Sequence, residues 1–442
     1  MHYGEYPPRP DWATLVSADG VPYHTVHGIP YWDDSAAFIF SPDEIEKLKT
    51  AAEEIDRMYK KTLDTICNDT ERLKMWFTPR VASAITSSWR SNPPTLFGRI
   101  DVVMLPDGSI KLFEYNAQTP STLPESSVAQ WNWLNWQKEQ GNIPSTAEQF
   151  SDAFEYLVDQ WKASGLDPNV PVYIATLNIS EAFDGGEDFC NAALMCDAAL
   201  QAGFKAILIN LNTDITLADN GPHKGKFVFT PELDDEWFKL TSPETRELVE
   251  SLVDTPIKVM FMLYPWEWIL IHSEQGGPAP FAEPMMTMID NGDLTVIEPL
   301  YSVLKTSKLM LPLLCELFPN SPYLLEATFG EMTVPLKMNG SVKKVAFGRE
   351  GANIEIRLPD GSMVADTPGV YGQDGLYIMQ EYCKMPGFSD NKGTTHYPVL
   401  GIWLVGGKAA GMSIRSVPST DFDEGMAPIT DDHARFVPHY VI

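Results

Sequence analysis

Phe97-Gly98-Arg99-Ile100-Asp101 and, one turn later, Phe113-Glu114-Tyr115-Asn116-Ala117 decide how this chain reads. Between them lies Pro106-Asp107-Gly108. Asp-Gly between two apolar-rich runs signals a hairpin, because both central residues of a tight turn tolerate positive φ. With Asp107-Gly108 as a two-residue loop, Asp101 falls opposite Glu114 and Arg99 opposite Asn116. Strand side chains alternate with period two, so all four project from one face. Two carboxylates facing each other across a ladder repel. A divalent cation held by carboxylate and amide oxygens would relieve this, and Mg²⁺ is commonly bound by one or two carboxylates plus substrate phosphates. An Arg99 salt bridge on a solvated sheet face is the competing reading, and a register slip of one residue would dissolve the constellation.

Working outward, the pattern is mixed α/β. Ser41 as N-cap, Pro42 in the first helical position and Glu44 completing a capping box predict a helix over 42–65. Ile45, Leu48, Ala52, Ile55 and Met58 recur along it at helical spacing. A second helix opens at Pro124-Glu125-Ser126-Ser127 and carries Trp131, Trp133 and Trp136, read as core. Strands over 172–177 and 205–211 flank a helix over 187–202, a βαβ-like unit. Gly276-Gly277-Pro278-Ala279-Pro280 marks a boundary. The last third is strand-rich, with runs at 342–347, 353–358, 377–382, 397–405 and 409–415. The expected domains are therefore 1–165, 166–280 and 281–442, without fixed-period repeats.

The 442 residues include 32 Lys plus Arg against 60 Asp plus Glu, a net charge of −28. That charge opposes non-specific binding to nucleic acid or an anionic membrane, both of which need a basic footprint. It reads first as a solubility feature, and second as suited to a cationic small ligand such as a polyamine. The first residues lack the build of a secretory signal, and the most apolar stretch, 260–271, is interrupted by Pro265 and Glu267. Five scattered cysteines argue against a disulfide framework and for a reducing cytoplasm. His24 and His27 lack Cys or carboxylate company, so zinc is not expected there.

Two lysines complete the picture. Lys308 lies in Ser307-Lys308-Leu309-Met310-Leu311-Pro312, and Lys344 precedes Gly348-Arg349-Glu350-Gly351-Ala352-Asn353. Glycine loops can close over phosphates with backbone N–H groups, and lysines add point charges. Taken with the acidic hairpin, with Tyr377-Ile378-Met379-Gln380 and with the closing Arg435-Phe436-Val437-Pro438-His439-Tyr440, this order resembles the ATP-grasp superfamily. More narrowly it resembles the synthetase part of glutathionylspermidine synthetase and its stand-alone bacterial relatives, from about Ile29 onward.

The resemblance implies an ATP-grasp fold permuted in sequence, with an inserted pre-ATP-grasp α/β domain. It implies a C–N ligase that uses ATP and Mg²⁺ to join a carboxylate to an amine through an acyl phosphate. By position, Asp101, Glu114 and Asn116 match the Mg²⁺ ligands and Arg99 the catalytic arginine. Lys308 and Lys344 match the nucleotide-phosphate lysines, and Gly348 and Gly351 the lid loop. Gln380, Glu381, Tyr382 and Cys383 match the adenine hinge, and Arg415, ending the last hairpin, the remaining family arginine. Thr119, Glu187 and Asp188 align with substrate positions, although Glu187 and Asp188 equally suit a helix N-terminus. Tyr264 stands where a smaller hydroxyl residue is expected, which leaves glutathione and a polyamine as one substrate pair among several. The length leaves no room for an amidase domain. A nucleotide-binding scaffold and a polyamine-binding protein without turnover are the alternatives in other functional classes.

Overall fold

The computed structural model describes residues 1–26, 28–177, 186–233, 243–271, 279–330, 339–349, 351–369, 372, 375–420 and 434–442. His27, residues 276–278 of the boundary cluster and Glu350 of the glycine loop fall outside that set. The chain forms two compact units, each assembled from separated stretches. The first holds 1–66, 97–154 and 304–442; the second holds 67–96 and 155–303.

The first unit contains four sheets among its described residues, one of them only the short pair Thr25–Val26 and Ile29–Pro30. Strands β1 (His2–Glu5) and β2 (Ala36–Phe40) form one sheet with the C-terminal strand. Helix α1 (Pro42–Ile66) starts as the sequence predicts: the Glu44 amide donates to Ser41 Oγ at 3.3 Å, and the Ser41 amide donates to Glu44 Oε2 at 2.9 Å. Ile45, Leu48, Ala52, Ile55 and Met58 are all buried along it.

The hairpin with which the sequence reading began is β3 (Phe97–Met104) and β4 (Ile110–Asn116). Further along the chain come β5 (Ala327–Phe329), β6 (Ser341–Val345), β7 (Ile354–Arg357), β8 (Met363–Thr367) and β9 (Tyr377–Glu381), which pair in the order β5-β9-β6-β7-β8. The long hairpin β10 (Thr395–Val405) and β11 (Lys408–Pro418), with β12 (Arg435–Phe436), extends the β3–β4 pair into one sheet, β12-β11-β10-β3-β4, to which Phe388–Ser389 adds along β10. The closing strand β13 (His439–Val441) runs parallel to β2.

Two expectations need correction here. The β3–β4 turn is a three-residue loop: the Leu105 carbonyl accepts from Gly108, Leu105 pairs with Ser109, and Gly108 takes φ 80° while Asp107 is not among the residues with positive φ. Asp107 instead accepts from the Ser109 amide at 2.9 Å. The Trp cluster is also not uniformly core: Trp133 is buried, but Trp131 is 44% exposed.

In the second unit the βαβ pattern holds. Val172–Thr176 and Ala206–Asn210 pair in parallel around helix Glu187–Gln201, within a four-stranded sheet completed by Val259–Met262 and Thr295–Ile297. Near-continuous burial of Val172–Thr176 fits a strand covered on both faces.

Candidate active site

The site begins with a register. A three-residue turn would move Asp101 one residue away from Glu114. A β-bulge between Asp101 and Val102 restores the pairing: Val102 lies opposite Leu112, and Asp101 opposite Glu114, with Phe113 as the extra residue. Arg99 then faces Asn116, as expected from the sequence. The bulge also turns backbone carbonyls outward. Lys344 Nζ donates to the Phe113 carbonyl at 3.2 Å, and Gln380 Nε2 to the Leu112 carbonyl at 3.5 Å. Val342 pairs with Gln380 and Lys344 with Ile378, so Lys344 and Gln380 share the sheet face that meets the hairpin.

On that face four cations surround two carboxylates. Arg99, 3% exposed, grips Asp101 with Nε at 2.8 Å and Nη2 at 3.1 Å. Arg415 Nη2 donates to Asp101 Oδ2 at 2.6 Å. Lys308 Nζ stands 3.0 Å from Glu114 Oε2 and donates to the Gly348 carbonyl at 2.5 Å. Burial works to raise the Glu114 carboxyl, but Lys308 first, then Lys344 and Arg415, bring it well below the usual carboxylate range. The side chain is 27% exposed, so solvent tempers these attractions. Burial dominates at Lys344 and lowers its ammonium to about 8, against the pull of Glu114.

Arg99 depends on groups that the sequence reading did not single out. Its Nη1 donates to the Ser121 carbonyl at 2.7 Å and reaches Thr122 Oγ1 at 3.4 Å. Thr122 has φ 76°, rare for a β-branched residue and worth about 1–3 kcal/mol of strain. Gly401, opposite Asp101 in β10, leaves the channel for the Arg99 side chain: a Cβ there would stand 2.7 Å from Arg99 Cδ.

Beside the charged cluster opens a cavity lined by Asp101, Glu114, Lys344, Gly351, Gln380 and Arg415, with Glu381, Tyr382 and Cys383 along one wall. Val342, Ile354, Ile356, Met385 and Val399 give it an apolar side suited to a flat ring. These were missed by the sequence reading, although the i, i+2 spacing of Val342 with Lys344 and of Ile354 with Ile356 carries the signal. Burial pushes the Cys383 thiol up to about 11, so it is a protonated wall group, not a nucleophile. Arg349 Nη1 donates to Thr119 Oγ1 at 2.9 Å, joining the glycine loop to the segment after β4. Arg415 lies inside β11 rather than at its end, since the strand runs on to Pro418. Glu187 and Asp188 occupy the first turn of their helix in the second unit.

The donor set suits a hard cation. Among the described residues no group of three or more His, Cys, Asp or Glu forms a ready metal cage. Here the third candidate ligand is an amide: Asn116 Nδ2 lies 3.4 Å from both Asp101 Oδ2 and Glu114 Oε1. That N–H group bridges the two carboxylates, and the same amide turned over would offer its oxygen.

The architecture is thus a mixed α/β protein whose first unit brings a polyanion-type cation cluster against an apolar-sided cleft. The chain belongs to the glutathionylspermidine synthase preATP-grasp family, whose profile matches residues 4–244 and 239–442. It is 29% identical over 450 residues to a Haemophilus influenzae protein with the provisional name acid–amine ligase, covering 99% of this chain and 98% of that one. It is 24% identical to trypanothione synthetase of Crithidia fasciculata, over 82% of this chain, and to the bifunctional glutathionylspermidine synthetase/amidase of Escherichia coli, over 76%. The chain spans about half the length of these two relatives, 52% and 50%. A glutathione synthetase-like effector from Globodera pallida has a similar fold, with a TM-score of 0.53 at 10% identity, covering 98% of this chain and 96% of that one. No helix among the described residues is long and apolar enough to cross a membrane.

Proposed function

We propose that the protein is an ATP-dependent acid–amine ligase that forms ADP, built on a sequence-permuted ATP-grasp fold. The observation that carries this reading is the convergence of Arg99, Arg415, Lys308 and Lys344 on Asp101 and Glu114, in a chain whose net charge is −28. A local excess of positive charge in an acidic protein suits a triphosphate. In this reading residues 1–165 supply the metal-bearing strands, 166–280 a pre-ATP-grasp-like α/β region, and 281–442 the lid and nucleotide-binding strands.

Lys308 and Lys344 bind the phosphates, with Gly348 and Gly351 in the loop above them. The segment Gln380, Glu381, Tyr382 and Cys383 presents its backbone to adenine, against the apolar wall. Asp101, Glu114 and Asn116 would hold Mg²⁺, which would supply neutralisation of phosphate charge. The substrate carboxylate attacks the γ-phosphorus, the bond to the ADP oxygen breaks, and an acyl phosphate results. The amine nitrogen then attacks the acyl carbon, loses a proton, and phosphate departs. Arg99 steadies negative charge on the phosphoryl oxygens and on the tetrahedral carbon. It is preorganised for this, because Asp101 and the Ser121 carbonyl fix the guanidinium before substrate arrives. Arg415 adds a second positive charge beside Asp101.

Thr119, Glu187 and Asp188 are proposed substrate contacts. Glutathione and a polyamine are the first acid and amine to test, since relatives carry those names. The five free thiols suit a reducing compartment, and a cytoplasmic setting is part of the proposal. The test is ADP release that requires both an acid and an amine, with mass detection of the new amide. Arg99→Ala and Asp101→Ala are the controls, expected to lose about 10²–10³ in rate. Unchanged release in both variants would reject the assignment.

A further inference from the structure

Among the buried carboxylates outside the set that this mechanism uses, one touches the strand bearing that set. Asp56, on α1, is 1% exposed. Its Oδ1 accepts from the Tyr115 hydroxyl at 2.9 Å and lies 3.3 Å from Lys305 Nζ, while its Oδ2 lies 2.7 Å from Lys60 Nζ. Tyr115 sits between Glu114 and Asn116 in β4, and its side chain points to the opposite sheet face. Lys305 precedes Lys308 by three residues, and its ammonium stands 4.3 Å over the Tyr115 ring. One carboxylate therefore ties the strand bearing two candidate metal ligands to the segment bearing a phosphate lysine.

Two glycines make room for this arrangement. A Cβ on Gly98 would stand 2.5 Å from a Tyr115 ring carbon, so the residue before Arg99 must be small for the phenol to reach α1. A Cβ on Gly407 would meet Lys60 Nζ at 2.5 Å and Asp56 Oδ2 at 3.2 Å. Burial opposes ionisation of Asp56, but Lys305 first, then Lys60 and Tyr115, bring the carboxyl down to about 2, so it is an anion. A buried anion is retained at a cost unless its partners are in place.

We infer that Asp56, acting through Tyr115 and Lys305, is a positioning residue that sets the spacing between the Glu114–Asn116 strand and Lys308. The inference rests on the proposed ligase reading and adds to it a control point on the far face of the sheet. It predicts that loss of a hydroxyl remote from substrate degrades nucleotide geometry and not merely stability.

The test compares Tyr115→Phe and Asp56→Asn with wild type in three measurements: thermal unfolding, MgATP affinity by calorimetry, and acid- and amine-dependent ADP release. Tyr115→Phe should stay folded, bind MgATP more weakly, and lose about 10-fold or more in kcat, because misplacements on the ångström scale are costly to a preorganised site. KM for the acid and the amine should hold. The double variant should be little worse than its weaker parent, as for groups acting as one unit. Should Asp56→Asn fail to fold, Tyr115→Phe decides alone. Wild-type kcat and MgATP affinity in Tyr115→Phe, with only a lower melting temperature, would overturn the inference and leave the ligase reading standing. A wild-type protein that neither binds nucleotide nor releases ADP would overturn both.

Discussion

The hairpin at 97–116 and the closing run at 435–440 both carry polar side chains in apolar sequence, yet they use them differently. In the hairpin, Asp101 is 2% exposed and meets two guanidinium groups. In the closing run, His439 is fully buried and its hydrogen-bond partners among the described residues are neutral: its Nε2 accepts from the Phe150 amide at 3.2 Å, and its Nδ1 lies 2.9 Å from Gln130 Oε1. In the same run Phe436 stacks on Trp32 with centroids 5.3 Å apart. Opposite charges around the neighbouring Glu114 favour its ionised form, whereas burial among neutral dipoles keeps His439 neutral. The first region is the one to which the proposed function assigns chemistry, and the second holds the closing strand against β2.

The strongest way to break this contrast is Gly401→Ala. The added Cβ crowds Ser413 Oγ and would stand 2.7 Å from Arg99 Cδ, so under the proposed mechanism, in which Arg99 must be held in place, ADP release should fall by about 10²-fold while the protein stays folded. Equal activity in this variant would mean that the Arg99 geometry is dispensable. His439→Ala should do the reverse. It leaves the Phe150 amide and Gln130 without their partner and should cost about 2–5 kcal/mol in denaturant unfolding, with kcat unchanged below the transition.

Two pH profiles sharpen the same difference. Lys344 is charged below about 8 and neutral above it, and a triphosphate favours the charged form. Nucleotide affinity should therefore decline as pH rises through about 8, and Lys344→Met should remove that step. Burial lowers the His439 imidazole from 6.5 to about 3. Between those values the unfolded chain binds a proton that the native chain refuses, so stability should drop as pH falls from about 6.5 toward 3. His439→Gln should flatten that slope in urea titrations at stepped pH. The smallest effect belongs to the Ser41 cap: Ser41→Ala should cost about 0.5–2 kcal/mol and leave turnover intact.

Much of the candidate site was legible in the chain because strand alternation is local. Once Arg99, Asp101, Glu114 and Asn116 are read as paired strands, their common face follows. The expected partners face each other although the turn differs: the loop is one residue longer, and the bulge at Phe113 compensates. Only three-dimensional pairing reveals a bulge, since an extra strand residue has no signature in composition. Gly98 and Gly401 could be noticed in the sequence but not explained. Their reason is side chains arriving from other strands, Tyr115 at Gly98 and both Ser413 and Arg99 at Gly401.

Local chemistry written along the chain settles the cap of α1, the βαβ unit, the hairpin and the identity of the charged side chains, because each depends on neighbours a few residues away. Which cation meets which carboxylate, why His439 stays neutral, and how Asp56 reaches β4 were decided by folding. Those properties depend on distances between segments up to hundreds of residues apart, and on the desolvation that arises only when the segments close on one another.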